Sequence, residues 1–268
     1  MNSMENRINA APPSALKVFS ALLLRDLMVS RRELPYFLLR TTLQPLLFTL
    51  VFGFVLPKMS YVGRGYSSAL LPGILAMSLS LSSMQSVTLP MVIDFATNAL
   101  EDRLLAPVSI RILALEKIAM GVLQGLVAAV FVLPIARLVM GPIDALSLSH
   151  GVEIAAVAML GSAAFSALGL LLGTAISPQQ IGLVFSAIIA PMMFFGCVYY
   201  PWKGLDSLPA LKYLVLVNPM VYVAEGLRGA LTPVLPHMSL TAVLIALVLL
   251  TTSFSALGLR SFERRSIA

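Results

Sequence analysis

Charged residues are scarce in this sequence. They make up 11% of the 268 residues, whereas 59% of the residues are hydrophobic. Soluble domains usually contain about 25% charged residues. A soluble globular protein is therefore excluded, and the composition predicts an integral membrane protein.

Residues that bind metals or nucleotides are also scarce. Cys197 is the single cysteine, and His150 and His237 are the two histidines. One cysteine excludes an intrachain disulfide and a cysteine-rich metal site. No lysine is followed by Ser or Thr, so the sequence lacks the lysine of a P-loop. We therefore predict no catalytic residues, no metal site and no ATP site in this chain.

Long apolar runs are what the sequence does contain. A transmembrane helix needs about 20 predominantly apolar residues, and six runs reach that length. We predict an all-α integral membrane protein with six transmembrane helices in one domain, residues 36–259. The predicted spans are Tyr36–Leu56, Ala69–Ile93, Ile112–Ile135, Ile154–Ile176, Ile181–Tyr200 and Met238–Leu259.

Six spans place both termini on the same side of the membrane. With both termini in the cytoplasm, twelve of the 18 Lys and Arg residues lie inside, as the positive-inside rule favours. The opposite orientation would put Arg31 and Arg32 outside. We expect a multi-pass plasma-membrane protein with a cytoplasmic N-terminal segment, residues 1–35, and a cytoplasmic tail, residues 260–268.

The segment Ser14–Glu33 has the pattern of an amphipathic helix. Its apolar residues share one face and Arg25 lies opposite, although Asp26 falls near the apolar stripe. We expect Pro35 to end this helix before the first span, and the helix to lie in the cytoplasmic membrane interface. An ordinary N-terminal extension is the alternative. The apolar residues are Leu16, Phe19, Leu23 and Leu27.

A compact charged segment, residues 95–107, joins the second and third spans, where a short turn would be enough. Its leucines are spaced to pack on one side of a helix, and Pro107 closes the segment. Its polar residues remain available to water or to a protein partner, although a solvated loop is the alternative. The leucines are Leu100, Leu104 and Leu105, and the polar residues are Asn98, Glu101, Asp102 and Arg103.

The segment Pro201–His237 precedes the last span and contains two apolar runs that are too short to cross a membrane. Pro209 and Pro219 stand where a helix would start, because proline lacks the backbone donor that is unpaired there. We predict two short external re-entrant helices. Glu225 and Arg228 share a face of the second helix at a spacing of three residues.

The order of these features resembles the membrane subunit of a type-2 ABC exporter. ALEDRLLAPVS, residues 99–109, resembles the family's segment that begins with an acidic residue and reaches Leu-Leu-x-x-Pro. NPMVYVAEGLR, residues 218–228, is similar to its Asn-Pro, aromatic, acidic and Arg signature. GCVYYPWKGLDSLPALKYLVLVNP, residues 196–219, resembles its Tyr-Pro and Leu-Pro pattern. The resemblance extends from Ser14 to Arg265.

The resemblance implies a half-transporter. Its expected partners are a separate ATP-binding subunit, which would hold ATP and Mg, a second copy of itself or a homologous permease, and membrane lipids. No nucleic acid is expected. The charged segment would be a coupling helix that docks on the ATP-binding subunit. The two short external helices would form a gate, and we expect Glu225 and Arg228 to be partly buried near the dimer axis, with an exposed surface pair as the alternative.

These implied roles divide the expected site residues into three groups. Contacts with the ATP-binding subunit are expected from Asn98, Leu100, Glu101, Asp102, Arg103, Leu104, Leu105, Arg31 and Arg32. The external gate is expected at Asn218, Pro219, Tyr222, Glu225 and Arg228. The substrate pathway is expected along Met193, Phe194, Phe195, Tyr199 and Tyr200.

The expected function is export of a hydrophobic or amphipathic substrate, such as a drug or a lipid, from the cytoplasm or the inner leaflet. Export of a polysaccharide or glycolipid by the same mechanism is one alternative. A membrane enzyme and an ion-coupled carrier are the others. Few ionisable residues fall within the spans, and Gln85 and Gln124 are their polar candidates; this argues against an ion-coupled carrier.

Overall fold

The regular elements of the protein are helices. The computed structural model describes residues 15–63, 65–97, 109–143 and 145–267, and every regular element in those ranges is helical. The prediction of an all-α protein is confirmed. The helices are α1, Ala15–Phe48; α2, Tyr66–Ala96; α3, Ile110–Met140; α4, Gly151–Ala175; α5, Pro178–Phe194; α6, Pro209–Val217; α7, Pro219–Leu231; and α8, Leu240–Ile267.

Helix α1 is much longer than the sequence predicts. It passes through Pro35 and Pro45 and continues through a π-helical stretch, Thr49–Val55, as far as Lys58. The expectation that Pro35 separates an interface helix from the first span is therefore wrong. Proline removes one backbone hydrogen bond, but neighbouring helices and Ser or Thr side chains compensate for this loss in membrane helices.

The described part of the chain contains five helices that are long and apolar enough to cross a membrane, or six if a bent pair counts as one span. These five are α1, α2, α3, α4 and α8. The predicted fifth span corresponds to α5, which ends at Phe194 instead of Tyr200. The chain leaves the helix there because Cys197 has a φ of 54° and its carbonyl bonds elsewhere. The structure supports a multi-pass membrane protein.

The bent pair consists of α6 and α7, whose axes meet at 101°. They begin at Pro209 and Pro219, as the sequence predicts. The existence of two short helices in this segment is thus confirmed. Their depth in a membrane stays a prediction.

Helix α2 lies at the centre of the fold and packs against α3, α4 and α7. Most of its side chains are buried. Glycines on the neighbouring helices permit this close packing: a Cβ at Gly125 would lie 1.8 Å from the Ser83 hydroxyl, and one at Gly169 would lie 2.5 Å from the Met84 carbonyl. Small residues have this role in membrane helix packing. Helix α4 also packs along α8.

Candidate functional site

Asn218 fixes the sharp turn between α6 and α7. Its side-chain oxygen accepts a hydrogen bond from the Met220 backbone nitrogen at 3.0 Å, which caps the first turn of α7. Its side-chain nitrogen donates to the Met192 carbonyl of α5 at 2.8 Å. Because one side chain makes both bonds, the start of α7 is tied directly to α5. Pro219 follows at the first helical position and is buried.

Glu225 and Arg228 form an ion pair on α7, and both side chains are fully buried. The second oxygen of Glu225 accepts from the Met238 backbone nitrogen at 2.9 Å, and the first also accepts from the Trp202 nitrogen at 2.9 Å. Each carboxylate oxygen therefore has a backbone donor in addition to the ion pair. This arrangement offsets the desolvation of the charge, which would otherwise be costly.

The guanidinium of Arg228 is satisfied in the same way by carbonyl groups. It donates to the Ala69 carbonyl at the start of α2, at 3.1 Å, and to the Cys197 carbonyl at 2.9 Å. The ion pair thus joins α7 to α2, to the chain after α5 and to the start of α8. We call Glu225 and Arg228 with these backbone partners the α7 ion-pair network.

The α7 ion-pair network lies inside the chain. Both charged side chains have no exposed surface, so the alternative of an exposed surface pair is wrong. Backbone segments from three directions converge on α7 and supply the hydrogen bonds of both charged groups. The expected position near a dimer axis stays a prediction.

The same region contains a very close backbone approach. A Cβ at Gly73 of α2 would lie 1.8 Å from the Val198 carbonyl. Val198 follows Cys197, whose carbonyl Arg228 holds. Only glycine therefore lets residues 197–198 lie against α2 in the position that completes the network.

Tyr222 fixes the other side of the bend. Its hydroxyl donates to the Leu216 carbonyl of α6 at 2.7 Å. The five residues predicted for an external gate thus lie in one region, where Asn218 and Tyr222 set the bend and Glu225 and Arg228 anchor α7. Their gating role remains a prediction.

The five residues predicted for the substrate pathway divide into two groups. Met193 and Tyr199 are buried, and Tyr200 is partly buried with its hydroxyl donating to the Phe194 carbonyl at 3.1 Å. Phe194 and Phe195 have about half of their surfaces exposed, at 55% and 48%. These two side chains could face lipid, substrate or a second subunit.

Tyr199 belongs to an aromatic cluster that the sequence does not predict. Its ring lies 5.4 Å from the Phe48 ring and 4.9 Å from the Phe52 ring, both on α1 and its π-helical extension. Ring separations of 4.5–7 Å are typical of favourable aromatic pairs. The cluster joins the chain after α5 to α1, which no local sequence pattern could indicate.

A second charged cluster lies at the other end of the helices, where α2 ends and α3 begins. Lys117 of α3 donates to the Asp26 carboxylate of α1 at 2.5 Å, and their side chains are 9% and 17% exposed. Gln124, two turns further along α3, donates to Ser30 at 3.1 Å. These contacts hold the first half of α1 against α3.

Sequence analysis missed this interhelical contact, although it contained a sign of it. Asp26 does not fit the apolar stripe predicted for residues 14–33, and the structure explains why: Asp26 faces Lys117, whereas Leu16 and Leu27 are exposed. The exposure of Leu16 and Leu27 is compatible with an apolar face in lipid, which stays a prediction. A carboxylate that interrupts an apolar stripe indicates an interhelical ion pair.

Glu116 adds a second carboxylate to this cluster. It is fully buried, and its nearer oxygen lies 3.6 Å from the Lys117 ammonium. Within the described ranges, neither of its oxygens receives a hydrogen bond. One lysine therefore faces two carboxylates, and we call Asp26, Glu116 and Lys117 the α1–α3 charge cluster.

The residues predicted to contact an ATP-binding subunit are described only in part. Arg31 and Arg32 are exposed on α1, one to two turns beyond Asp26. The other seven predicted residues, Asn98, Leu100, Glu101, Asp102, Arg103, Leu104 and Leu105, lie outside the described residues. The segment that contains them connects α2 to α3 in the sequence.

Comparison with protein families gives one match, and no curated protein and no solved structure matches the chain. The family model for the ABC-2 type transporter matches residues 17–232. The match covers α1 to α7 and includes both charged clusters. Since it spans most of the 268 residues, the chain belongs to the ABC-2 type transporter family and is a type-2 ABC permease subunit.

Proposed function

We propose that this permease subunit exports a hydrophobic or amphipathic substrate, using ATP hydrolysed by a separate subunit. The family match over residues 17–232 is the observation that carries this proposal. The described part of the chain is dominated by apolar helices, which suits a membrane pathway. We further propose that two copies, or one copy and a homologous permease, form the transporter.

The proposed orientation places both termini in the cytoplasm. It requires α5 to cross the membrane as the fifth span. Helix α5 has 17 residues, Pro178–Phe194, which corresponds to about 25 Å at 1.5 Å per residue. That length approaches the roughly 30 Å of a bilayer core. The bent pair α6 and α7 then re-enters from the outside before α8 returns to the cytoplasm.

The proposed contact with the ATP-binding subunit lies at the α2–α3 connection. Residues 98–105 would dock on the ATP-binding subunit, with Arg31 and Arg32 of α1 as additional contacts. The Asp26–Lys117 ion pair supports this proposal, because it joins α1 to the first half of α3, the helix that follows the connection. A push on the connection would therefore move α1 and α3 together.

The bend between α6 and α7 is proposed as the outer gate. The α7 ion-pair network supports a gate that moves as one rigid unit, because α7 is bonded to α2, α5 and α8. The exposed rings of Phe194 and Phe195 beside it support an apolar substrate.

Reconstitution tests the proposal. The chain would be co-purified with a candidate ATP-binding subunit from the same organism and placed in vesicles with a fluorescent amphipathic substrate. We expect ATP-dependent movement of the substrate, absent without either subunit. The variant Glu101→Lys/Asp102→Lys should insert normally but lose substrate-stimulated ATP hydrolysis. The control Glu153→Lys reverses a charge on α4 and should leave hydrolysis unchanged.

Three outcomes would contradict the proposal. Substrate movement driven by a proton gradient without ATP would indicate an ion-coupled carrier. If a glycolipid or polysaccharide is moved but no amphipathic compound is, the ATP-driven mechanism would stand and the proposed substrate class would be wrong. Normal hydrolysis by the Glu101→Lys/Asp102→Lys variant would show that residues 98–105 do not form the coupling contact.

A further inference from the structure

A cavity of about 550 Å³ lies between the ends of α4 and α8. Three of its lining side chains are arginines, and two are leucines. The cavity therefore combines positive charge with an apolar wall. Its lining residues are Leu171, Leu257, Arg260, Ser261, Arg264 and Arg265.

The walls of this cavity are fixed by contacts between the two helices. Gly258 of α8 allows a close approach to α4, because a Cβ there would lie 3.3 Å from the Leu171 nitrogen. Further along α8, Arg265 donates to the Thr174 carbonyl at 2.7 Å and to the Ile176 carbonyl at 3.1 Å. The Thr174 hydroxyl also bonds to Ser261 at 2.9 Å. The cavity is thus preformed by the fold.

Two of the three arginines are available to a ligand. Arg260 and Arg264 are exposed, and neither side chain makes a hydrogen bond or an ion pair with the described residues. They are four residues apart on α8 and therefore lie on the same face. The nearby carboxylate of Glu263 is already paired with Arg111 at 2.8 Å. The positive charge of the cavity is not cancelled by that carboxylate.

The apolar wall continues from the cavity along the helix. Leu257 is 48% exposed, and Leu249, two turns earlier on the exposed side of α8, is 61% exposed. A ligand with a phosphate between Arg260 and Arg264 could lay a hydrocarbon chain along these leucines. A free phosphate or an acidic protein surface has no hydrocarbon chain that would contact these leucines.

We propose that this cavity is a binding site for an anionic phospholipid. The phosphate accepts hydrogen bonds from the guanidinium groups of Arg260 and Arg264, whose planar donors match phosphate oxygens. The acyl chain lies against Leu257. Basic pockets between membrane helices bind anionic headgroups in this way. The site is independent of the proposed transport cycle and requires only the permease chain.

Lipid binding to the purified full-length permease alone tests the site. The probes are phosphatidylglycerol and phosphatidylcholine with identical acyl chains, and bound lipid is counted by native mass spectrometry in neutral detergent. We expect preferential retention of phosphatidylglycerol. Arg260→Gln/Arg264→Gln should weaken it about 30-fold, since each basic residue near an anionic lipid surface contributes a factor of about 5 to 6. The preference for phosphatidylglycerol should then disappear.

Two further variants separate this site from general charge attraction. Arg137→Gln/Lys203→Gln removes the same charge from exposed positions away from the cavity and should weaken phosphatidylglycerol binding less than threefold. Arg260→Lys/Arg264→Lys keeps the charge and should retain most of the binding. Gel filtration would show that each variant is folded and monodisperse.

Several results would overturn the proposal. Equal retention of the two lipids by the wild-type chain would exclude an anionic lipid site. An equal loss of phosphatidylglycerol binding in the Arg137→Gln/Lys203→Gln control would show that net charge alone causes the effect. Displacement of the lipid by millimolar inorganic phosphate would identify a phosphate site instead. If Arg260→Gln/Arg264→Gln binds lipid as the wild type does but no longer co-purifies with the ATP-binding subunit, these arginines form a protein contact instead.

Discussion

The two charged clusters of this protein each bury a carboxylate beside a cation, but they differ in how the carboxylate is hydrogen-bonded. In the α7 ion-pair network, Glu225 and Arg228 are fully buried and both are bonded to backbone groups from other segments. In the α1–α3 charge cluster, Asp26 keeps some exposure, and the buried Glu116 carboxylate accepts no hydrogen bond from the described residues. The first cluster is complete, whereas in the second Asp26 pairs with both Arg25 and Lys117, and Glu116 has only the Lys117 ammonium, at 3.6 Å.

The difference indicates which end of the molecule can rearrange. Buried charges are tolerated when their remaining hydrogen-bonding groups are satisfied, so a movement of α7 away from its neighbours would break hydrogen bonds of both buried charges. In the α1–α3 cluster, Lys117 could exchange Asp26 for Glu116 without losing a carboxylate partner. We therefore expect a rigid α7 end and an adjustable α1–α3 end, where the proposed ATP-binding subunit would act.

Breaking the α7 network should have the largest effect. Arg228→Met leaves the buried Glu225 carboxylate without its cation and should lower the free energy of unfolding by about 3–5 kcal/mol. Glu225→Gln should have a similar effect, because the guanidinium then loses its counter-ion. Chemical denaturation of the purified chain in detergent would measure both losses.

The double variant Glu225→Gln/Arg228→Met is the control for this first prediction. It leaves no uncompensated charge, so its loss should be clearly smaller than the sum of the two single losses. Additive losses would mean that the two residues act separately. Losses below 1 kcal/mol in both single variants would show that the pair is exposed to water in the membrane-bound protein.

Some of this network follows from the sequence, and some does not. The start of α7 was predictable because the Asn218 cap and Pro219 are neighbours in the chain and act locally. The pairing of Glu225 with Arg228 was predictable for the same reason. Their full burial was not, since it depends on Ala69 and Cys197, which are distant in sequence.

Crowding the network without changing its charge should have the next largest effect. Gly73→Ala would place a Cβ 1.8 Å from the Val198 carbonyl, and the backbone cannot yield as a flexible side chain would. We expect a loss of about 3 kcal/mol, at the upper end for overpacked cores. Gly182→Ala in α5 is the matched control, because no atom lies within 4 Å of its added Cβ. That control should leave stability unchanged or raise it slightly.

If Gly73→Ala and Gly182→Ala lower the stability equally, the interpretation that Gly73 permits a close backbone contact would be wrong. Equal losses would show that alanine acts through backbone freedom alone, and the contact between residues 197–198 and α2 would then not be tight. Thermal unfolding of both variants in the same detergent gives the comparison directly.

The longer α1 shows where local sequence rules fail in this chain. Pro35 ends a helix in the rules for soluble proteins, yet α1 continues through it. The contacts that hold α1 in place come from Lys117 and Gln124 on α3. Sequence spacing places residues on a helical face, but it does not show that a distant lysine will pair with Asp26.

Removing the shared cation of the α1–α3 cluster should have an intermediate effect. Lys117→Met leaves Asp26 with Arg25 as its cation and the buried Glu116 with none, and it should cost about 2 kcal/mol, as expected for a lost charged hydrogen bond. Asp26→Asn should cost less, because Lys117 still faces Glu116 at 3.6 Å. Denaturation curves would rank the two variants. The reverse ranking would contradict the exchange of carboxylate partners on which an adjustable α1–α3 end depends.

The smallest expected effect concerns Asn218, which links the rigid network to α5. Asn218→Ala removes the cap of α7 and should lower the free energy of unfolding by about 1 kcal/mol. Asn218→Asp keeps the oxygen that accepts from Met220 but loses the nitrogen that donates to the Met192 carbonyl. If the cap matters most, Asn218→Asp should be nearly as stable as the wild type; if the bond to α5 matters most, it should resemble Asn218→Ala.

Thermal unfolding measures stability, and cysteine accessibility at Met192→Cys in a Cys197→Ala background reports whether α5 has separated from α7. A stable Asn218→Asp variant with unchanged accessibility would show that α5 is held by packing alone, and the rigid region would then still include α5 without this bond.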